Sequence, residues 1–239
     1  MILRLNDRKI GLMTVAATLA MLALPHPAEA KRPGKRHCFG GVCHRVMTLA
    51  ETEREIGKPA RMTASYYDDC HRDRFNPCGL TSSGETFRPH LPDNAASAIH
   101  PDGTILVVRN PATGLAAVVR VNNFGPFHAD RKIDVSRATA ERLGFSRVGI
   151  ASLEVMVAYA PSHREARYER RRRYDPVPGF IGSAPSIATA YDRYAALTRA
   201  HRIAKLDRET CRVARNRRTP PLDLIASLAP SYFRRLARS

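Results

Sequence analysis

Three side chains in the middle of the chain, Glu85, His100 and Asp134, are of types that move protons. A carboxylic acid that keeps its proton near neutral pH can donate to a leaving oxygen, and a second carboxylate or an imidazole can take a proton up. Spacing alone gives none of them that task. Glu85 lies in a Ser-Gly-Glu turn, and His100 precedes Pro101, where extended backbone is favoured. Asp134 is placed to pair with an arginine or to cap a helix starting near Ser136. Tyr66, Arg120 and Asn123 are the neighbouring residues suited to holding a ligand. Arg120 alternates with Val119 and Val121, so a solvent-facing and a groove-lining position are equally open. Metal chemistry finds no support, because Cys38, Cys43, His44, Cys70 and His71 show no recognisable ligand spacing.

The setting is exported and cationic. Arg4, Arg8 and Lys9 precede an apolar run from Ile10 to Leu24, and Ala28-Glu29-Ala30 supplies small residues where a signal peptidase reads. The run is shorter than the ~20 residues that span a bilayer, so residues 1–30 read as a cleaved signal peptide and not as a transmembrane anchor. A periplasmic or secreted chain starting near Lys31 is expected. With 39 Lys+Arg against 22 Asp+Glu, its formal charge of +17 calls for an anionic partner. Export argues against nucleic acid and for the anions of the cell envelope. An oxidising compartment also permits disulfides, and near-neighbour pairing joins Cys38 to Cys43 and Cys70 to Cys78, leaving Cys211 over.

The elements that must position these residues fall into three zones after the signal. Residues 31–60 are polar and basic and read as a linker with one short helix around Met47 to Ile56. Residues 61–159 carry the strand signals: Met62 to Tyr67, Thr104 to Arg109, Leu115 to Asn122 and Ala151 to Tyr159. Asn110 to Gly114 is a hairpin loop by composition. Ser136 as N-cap and Gly144 as a left-handed C-terminal stop bracket a helix. Several short strands and one or two helices in about a hundred residues suggest a small β-barrel. Residues 160–239 are arginine-rich, with a helical pattern through Ile187, Tyr191, Tyr194, Leu197, Ile203 and Leu206. They read as a partly helical or disordered extension, removable without unfolding the barrel, or as an electrostatic tether to an anionic surface.

A string of motifs within 61–159 is specific as a set. Ala64-Ser65-Tyr66-Tyr67 is followed by Thr81-Ser82-Ser83-Gly84-Glu85-Thr86-Phe87, Ala98-Ile99-His100-Pro101, Val121-Asn122-Asn123-Phe124-Gly125-Pro126-Phe127 and Ile133-Asp134-Val135-Ser136. In order and spacing they resemble the rare lipoprotein A (RlpA) family of septal-ring lytic transglycosylases. The resemblance implies a mainly β fold, a six-stranded double-psi β-barrel, and a lyase that cleaves the MurNAc-GlcNAc strand of peptidoglycan. In that reaction the muramic 6-hydroxyl attacks in place of water and leaves a 1,6-anhydro end. Glu85, His100 and Asp134 are then the catalytic candidates, with Tyr66, Asn123 and Arg120 binding substrate; no cofactor and no metal are implied. The family has Asp where this chain has Asn123, and Asn cannot transfer protons. That substitution keeps open an alternative, a non-catalytic peptidoglycan-binding or expansin-like wall-loosening protein. A lipid anchor and a C-terminal SPOR domain, usual in the family, are not visible, so septal localisation is not implied.

Overall fold

The computed structural model describes residues 30–73, 79–128 and 130–216. The chain runs β1 (Arg36–Phe39), β2 (Val42–Arg45), α1 (Leu49–Arg54), β3 (Pro59–Tyr67), β4 (Asn94–Ser97), β5 (Ile105–Arg109), β6 (Leu115–Asn123), β7 (Arg131–Ser136), α2 (Arg137–Leu143), β8 (Ala151–Tyr159), β9 (Gly179–Ser183) and α3 (Ile187–Asn216). Six strands hydrogen-bond in the order β4-β7-β3-β8-β5-β6, and pairing of β4 with β6 closes the ring. The expected six-stranded mixed β-barrel is therefore present. Two of its contacts, β3 with β7 and β4 with β6, are parallel, and the others are antiparallel.

The period of two explains why β5 reads as an uninterrupted apolar run. Leu106 and Val108 point into the barrel with Ala117, Val119, Val121, Ile133, Val135, Leu153, Val155 and Val157. Ile105 and Val107 point outwards, joining Ala116, Val118 and Met156 in a second apolar layer covered by Ala184, Ile187 and Ala190. A strand buried on both faces has no polar face to alternate with. The helix expectations hold: Thr48 caps α1 in a reciprocal box with Glu51, and Ser136 caps α2, which ends at Gly144 with φ of 79°.

Five strands, β1, β2, β4, β7 and β9, lacked a sequence signal. β4 is Asn-Ala-Ala-Ser, without one β-branched residue, yet all four positions are buried between β6 and β7. Tertiary pairing outweighs its weak propensity.

Both flanks are docked on the barrel more closely than expected. Residues 31–46 are a docked hairpin (β1 pairs with β2), closed by a Cys38–Cys43 disulfide and not a free linker. The Met47 N–H donates to Ile99 O at 2.8 Å, tying its end to the barrel. After Tyr159 the extension is partly helical, as expected, and its first described part is docked on the barrel. Residues 161–177 form a strap along the barrel, β9 pairs with β6, and the first turns of α3 seal the second apolar layer. The apolar seam is short, since Leu197, Ile203 and Leu206 are exposed. No helix among the described residues is long and apolar enough to cross a membrane. The expected signal peptide, Cys78, the side chain of Cys211 and the apolar piece 222–228 lie outside the described residues; Cys70 itself is disulfide-bonded.

Candidate active site

Asp134 sits on β7 opposite Ser65 of β3 and Ala96 of β4. The Ser65 hydroxyl donates to Asp134 Oδ1, and Arg131 Nη1 in turn donates to Ser65 Oγ at 2.6 Å. Burial pushes the Asp134 carboxyl above the usual carboxylate range, with the Ser65 hydrogen bond and the Arg131 charge opposing it. The side chain nevertheless keeps partial exposure. A carboxyl whose hold on its proton is strengthened by burial, on a residue that is not fully closed off, is suited to general-acid work.

Glu85 is held in a tight loop. Thr81 N donates to Glu85 O at 2.8 Å, and Gly84 N donates to Thr81 O at 2.9 Å. Its carboxylate accepts from Asn122 Nδ2 at 2.8 Å and, more weakly, from the Tyr174 N–H at 3.5 Å. Arg88 Nη2 stands 3.9 Å away. Glu85 faces a cavity of about 720 Å³ bounded by Arg88, Arg120, Asn122 and the strap residues Arg171 to Val177. Asn122 Oδ1 is buried there without a partner. A buried acceptor left unpaired costs about 1–3 kcal/mol, so this atom is suited to a hydroxyl or amide N–H brought by a ligand.

His100 is elsewhere. Its side chain is in the interior at 2% exposure, its Nδ1 lies 2.9 Å from Ser97 Oγ, and its backbone N–H donates to the same oxygen. Burial first, and the Lys31 charge second, lower the imidazole to about 3. A neutral, enclosed ring does not reach a polymer in this arrangement. The RlpA resemblance implies an Ala-Ala-His segment here; Ala95-Ala96-Ser97 on β4 matches both of its alanines where Ala98-Ile99-His100 matches one, with Ser97 in the third place. His100, three residues later, packs its ring against that serine.

Asn123 works as a hinge pin. Its Oδ1 accepts from Ser82 N at 3.1 Å and Phe124 N at 3.0 Å, so the amide oxygen holds the Glu85 loop to the end of β6. Arg120 is 8% exposed and neither free nor solvent-facing. It donates to Gly103 O at 3.2 Å and Asp175 O at 2.9 Å, under the Tyr174 ring. Tyr66 packs against the barrel core. No hydrogen bond among the described residues joins Glu85, His100 and Asp134 to one another.

Sequence reasoning missed a buried ion pair behind this site. Lys31 Nζ lies 2.7 Å from Asp102 Oδ1, both side chains closed to solvent, and also donates to Asn123 O at 3.0 Å and Ser97 O at 3.3 Å. Ser82 Oγ donates to Asp102 Oδ2 at 2.8 Å. Burial pushes Lys31 down and Asp102 up, against their mutual attraction. Nothing local marks either residue, since Asp102 reads as a Pro-Asp-Gly turn and its partner is 71 positions away by number. Asp69, Cys70 and His71 also gather within 4.8 Å, but the sulfur is committed to a disulfide.

Comparison with known proteins bears on this geometry directly. The profile of the family described as "Lytic transglycolase" matches residues 60–155, the closed barrel itself. This segment is an RlpA-like double-psi β-barrel domain. The endolytic peptidoglycan transglycosylase RlpA of Vibrio cholerae is 36% identical over 137 residues, covering 57% of this chain and 51% of that protein. Its namesake in Pseudomonas aeruginosa is 31% identical over 133 residues, covering 56% and 36%. A probable endolytic peptidoglycan transglycosylase RlpA of Treponema pallidum is 34% identical over 112 residues, covering 46% and 32%. The chain thus spans about a third to a half of these relatives' length. The docked hairpin 31–46 and the strap 161–177 lie outside the matched RlpA-like segment.

Proposed function

We propose that this protein is a peptidoglycan lytic transglycosylase of the periplasm or cell exterior, with Asp134 as its proton donor. One observation carries the reading: the RlpA-like barrel has a carboxyl, raised by burial, on a residue that keeps partial exposure at the Ser65–Arg131 corner. Asp134 passes its proton to O4 of the departing GlcNAc as the MurNAc C1–O4 bond breaks. The muramic 6-hydroxyl oxygen bonds to C1, and its proton returns to Asp134, so the step consumes no water and leaves the enzyme unchanged. Tyr66 follows Ser65 on β3, so its ring lies on the opposite face and backs this corner from the core. Glu85 with Asn122 orients the strand, and Asn123 holds the loop without moving a proton. His100 supports Ser97 from within. The test is to digest purified sacculi with residues 31–239 and to look for anhydromuropeptides by mass spectrometry.

One observation favours a second reading, a glycan binder that loosens the wall without cutting it. Asn123 stands where the family has an Asp, and both contacts of its Oδ1 are structural. Anhydro product separates the two. We also propose that the excess of arginines after residue 160 attracts the protein to the anionic envelope, and that 61–159 forms the RlpA-like barrel between a basic N-terminal segment and an arginine-rich C-terminal one whose start completes the barrel's outer apolar layer.

A further inference from the structure

We propose that the strap 161–177 turns the Glu85 cavity into an anion subsite that recognises a carboxylate carried by the muramic acid of the substrate. This rests on the peptidoglycan reading above and adds to it a charge requirement supplied by residues outside the RlpA-like segment.

The strap is built onto the Glu85 loop. Glu169 N donates to Ser83 O, and Arg172 N donates to Gly84 O, each at 3.1 Å. The fit needs glycine at position 84, because a Cβ there would lie 2.0 Å from Glu169 O. Arg171 has a φ of 60°, a left-handed conformation unusual for a side-chain-bearing residue. That kink sorts the arginine run. Arg172 turns inwards, 8% exposed, and donates to the carbonyls of Arg164 and Arg167, fixing the strap. Arg171 and Arg173 line the cavity with no described partner of their own. Two guanidinium groups without a partner among the described residues therefore share the cavity with Asn122 Oδ1, which has none there either; Glu85, Asp93 and Asp175 also line it. Guanidinium groups match the planar two-oxygen geometry of a carboxylate, and a neutral acceptor beside them suits a hydroxyl or amide N–H of the same ligand.

Peptidoglycan offers this carboxylate from two sources. On a peptide-free strand it is the lactyl group of muramic acid; on a peptide-bearing strand the lactyl group is amidated and the stem peptide supplies the carboxylates. The experiment is equilibrium binding of the purified protein, residues 31–239, to three soluble probes of matched sugar length. These are amidase-denuded glycan, peptide-bearing glycan, and chitooligosaccharide, which has the same sugar backbone and no carboxylate. The expected result is that a carboxylate-bearing probe binds at least about tenfold more tightly than chitooligosaccharide. The Arg171→Gln/Arg173→Gln variant is expected to erase that advantage while leaving chitooligosaccharide binding unchanged. Rising salt acting on the unmodified protein is expected to erase it as well. Whichever carboxylated probe is preferred names the source. Equal affinity of the unmodified protein for all three probes would overturn the proposal, as would an advantage that survives loss of both arginines. Anhydro product from sacculi without a carboxylate preference sinks the subsite alone; a carboxylate preference without product sinks the lytic reading alone.

Discussion

The barrel wall and the two segments that flank it are held by different physics. Inside the ring, Leu106, Val108, Val119, Val121, Ile133, Val135, Leu153 and Val155 fill space with almost no exposure and no polar partner. Dispersion and loss of apolar surface need no directed contact, so many similar side chains would do. The hairpin 31–46 and the strap 161–177 bury Val46 and Ala166 but are pinned chiefly by directed polar contacts: Lys31 on Asp102, Arg120 on Asp175 O, and the N–H groups of Glu169 and Arg172 on Ser83 O and Gly84 O. Such pins fail abruptly when one partner is lost. The difference teaches how this molecule is assembled. An RlpA-like barrel supplies the scaffold and Asp134, and polar clamps add two walls that the matched segment does not include.

The sharpest way to break the comparison is to remove everything after Tyr159. Ile105, Val107, Val118 and Met156 would lose their cover. Re-exposing a large apolar side chain costs about 1.5–3 kcal/mol, and four together approach a typical stability margin of about 5–15 kcal/mol. The truncated chain is expected to lose a cooperative thermal melt. A melt as sharp and as high as that of the longer chain would make the second apolar layer dispensable.

Next in size is Lys31→Met, which leaves the Asp102 carboxyl closed in without its partner. A loss of about 3–5 kcal/mol is expected in denaturant unfolding, largely recovered in Lys31→Met/Asp102→Leu because the pair of apolar groups leaves no orphan charge. Two equal, additive losses would show that the pair is not coupled. In Leu106→Ala the expected loss is about 2–5 kcal/mol, with no partner substitution able to restore it.

Acid sharpens the contrast further. The imidazole of His100 titrates near 6.5 when unfolded and near 3 in the fold. Between those values the unfolded chain binds the extra proton, so the contribution of this histidine is full above about pH 6.5 and falls as pH drops towards 3. Melting temperature across that window is expected to fall less steeply in His100→Gln than in the unmodified protein; identical slopes would remove His100 as a cause. Smallest is the Cys38–Cys43 disulfide, separated by five positions in sequence. Closing so short a loop stabilises by about 2 kcal/mol in the chain-entropy picture, and Cys38→Ser/Cys43→Ser is expected to lower stability by no more than that.

What the sequence made legible follows the same division. The runs Leu115 to Asn122 and Ala151 to Tyr159, the Ser136 cap and the Gly144 stop are local patterns, and they appear in the fold as read. The string of motifs located Asp134, Glu85 and Asn123 within one domain. β4 could not be read, since its Asn-Ala-Ala-Ser is a strand only because β6 and β7 hold it. Neither could the docking of residues 31–46 and 161–177, whose composition resembles solvated chain and whose anchors pair across 55 to 92 residues. His100 shows the hazard of a motif met without its strand: the ring is enclosed, and Ser97 occupies the place at the end of β4.

The central claim is that Asp134 donates the proton in a lytic cut. Purified sacculi digested in parallel with the unmodified protein and with Asp134→Asn, and read by mass spectrometry for 1,6-anhydromuropeptides, test it most directly. The expected result is clear anhydro release by the unmodified protein and a fall of roughly 10²–10⁴-fold in Asp134→Asn, with sacculus pelleting unchanged. Release that survives in Asp134→Asn would contradict the assignment, and no release from either would leave the glycan binder.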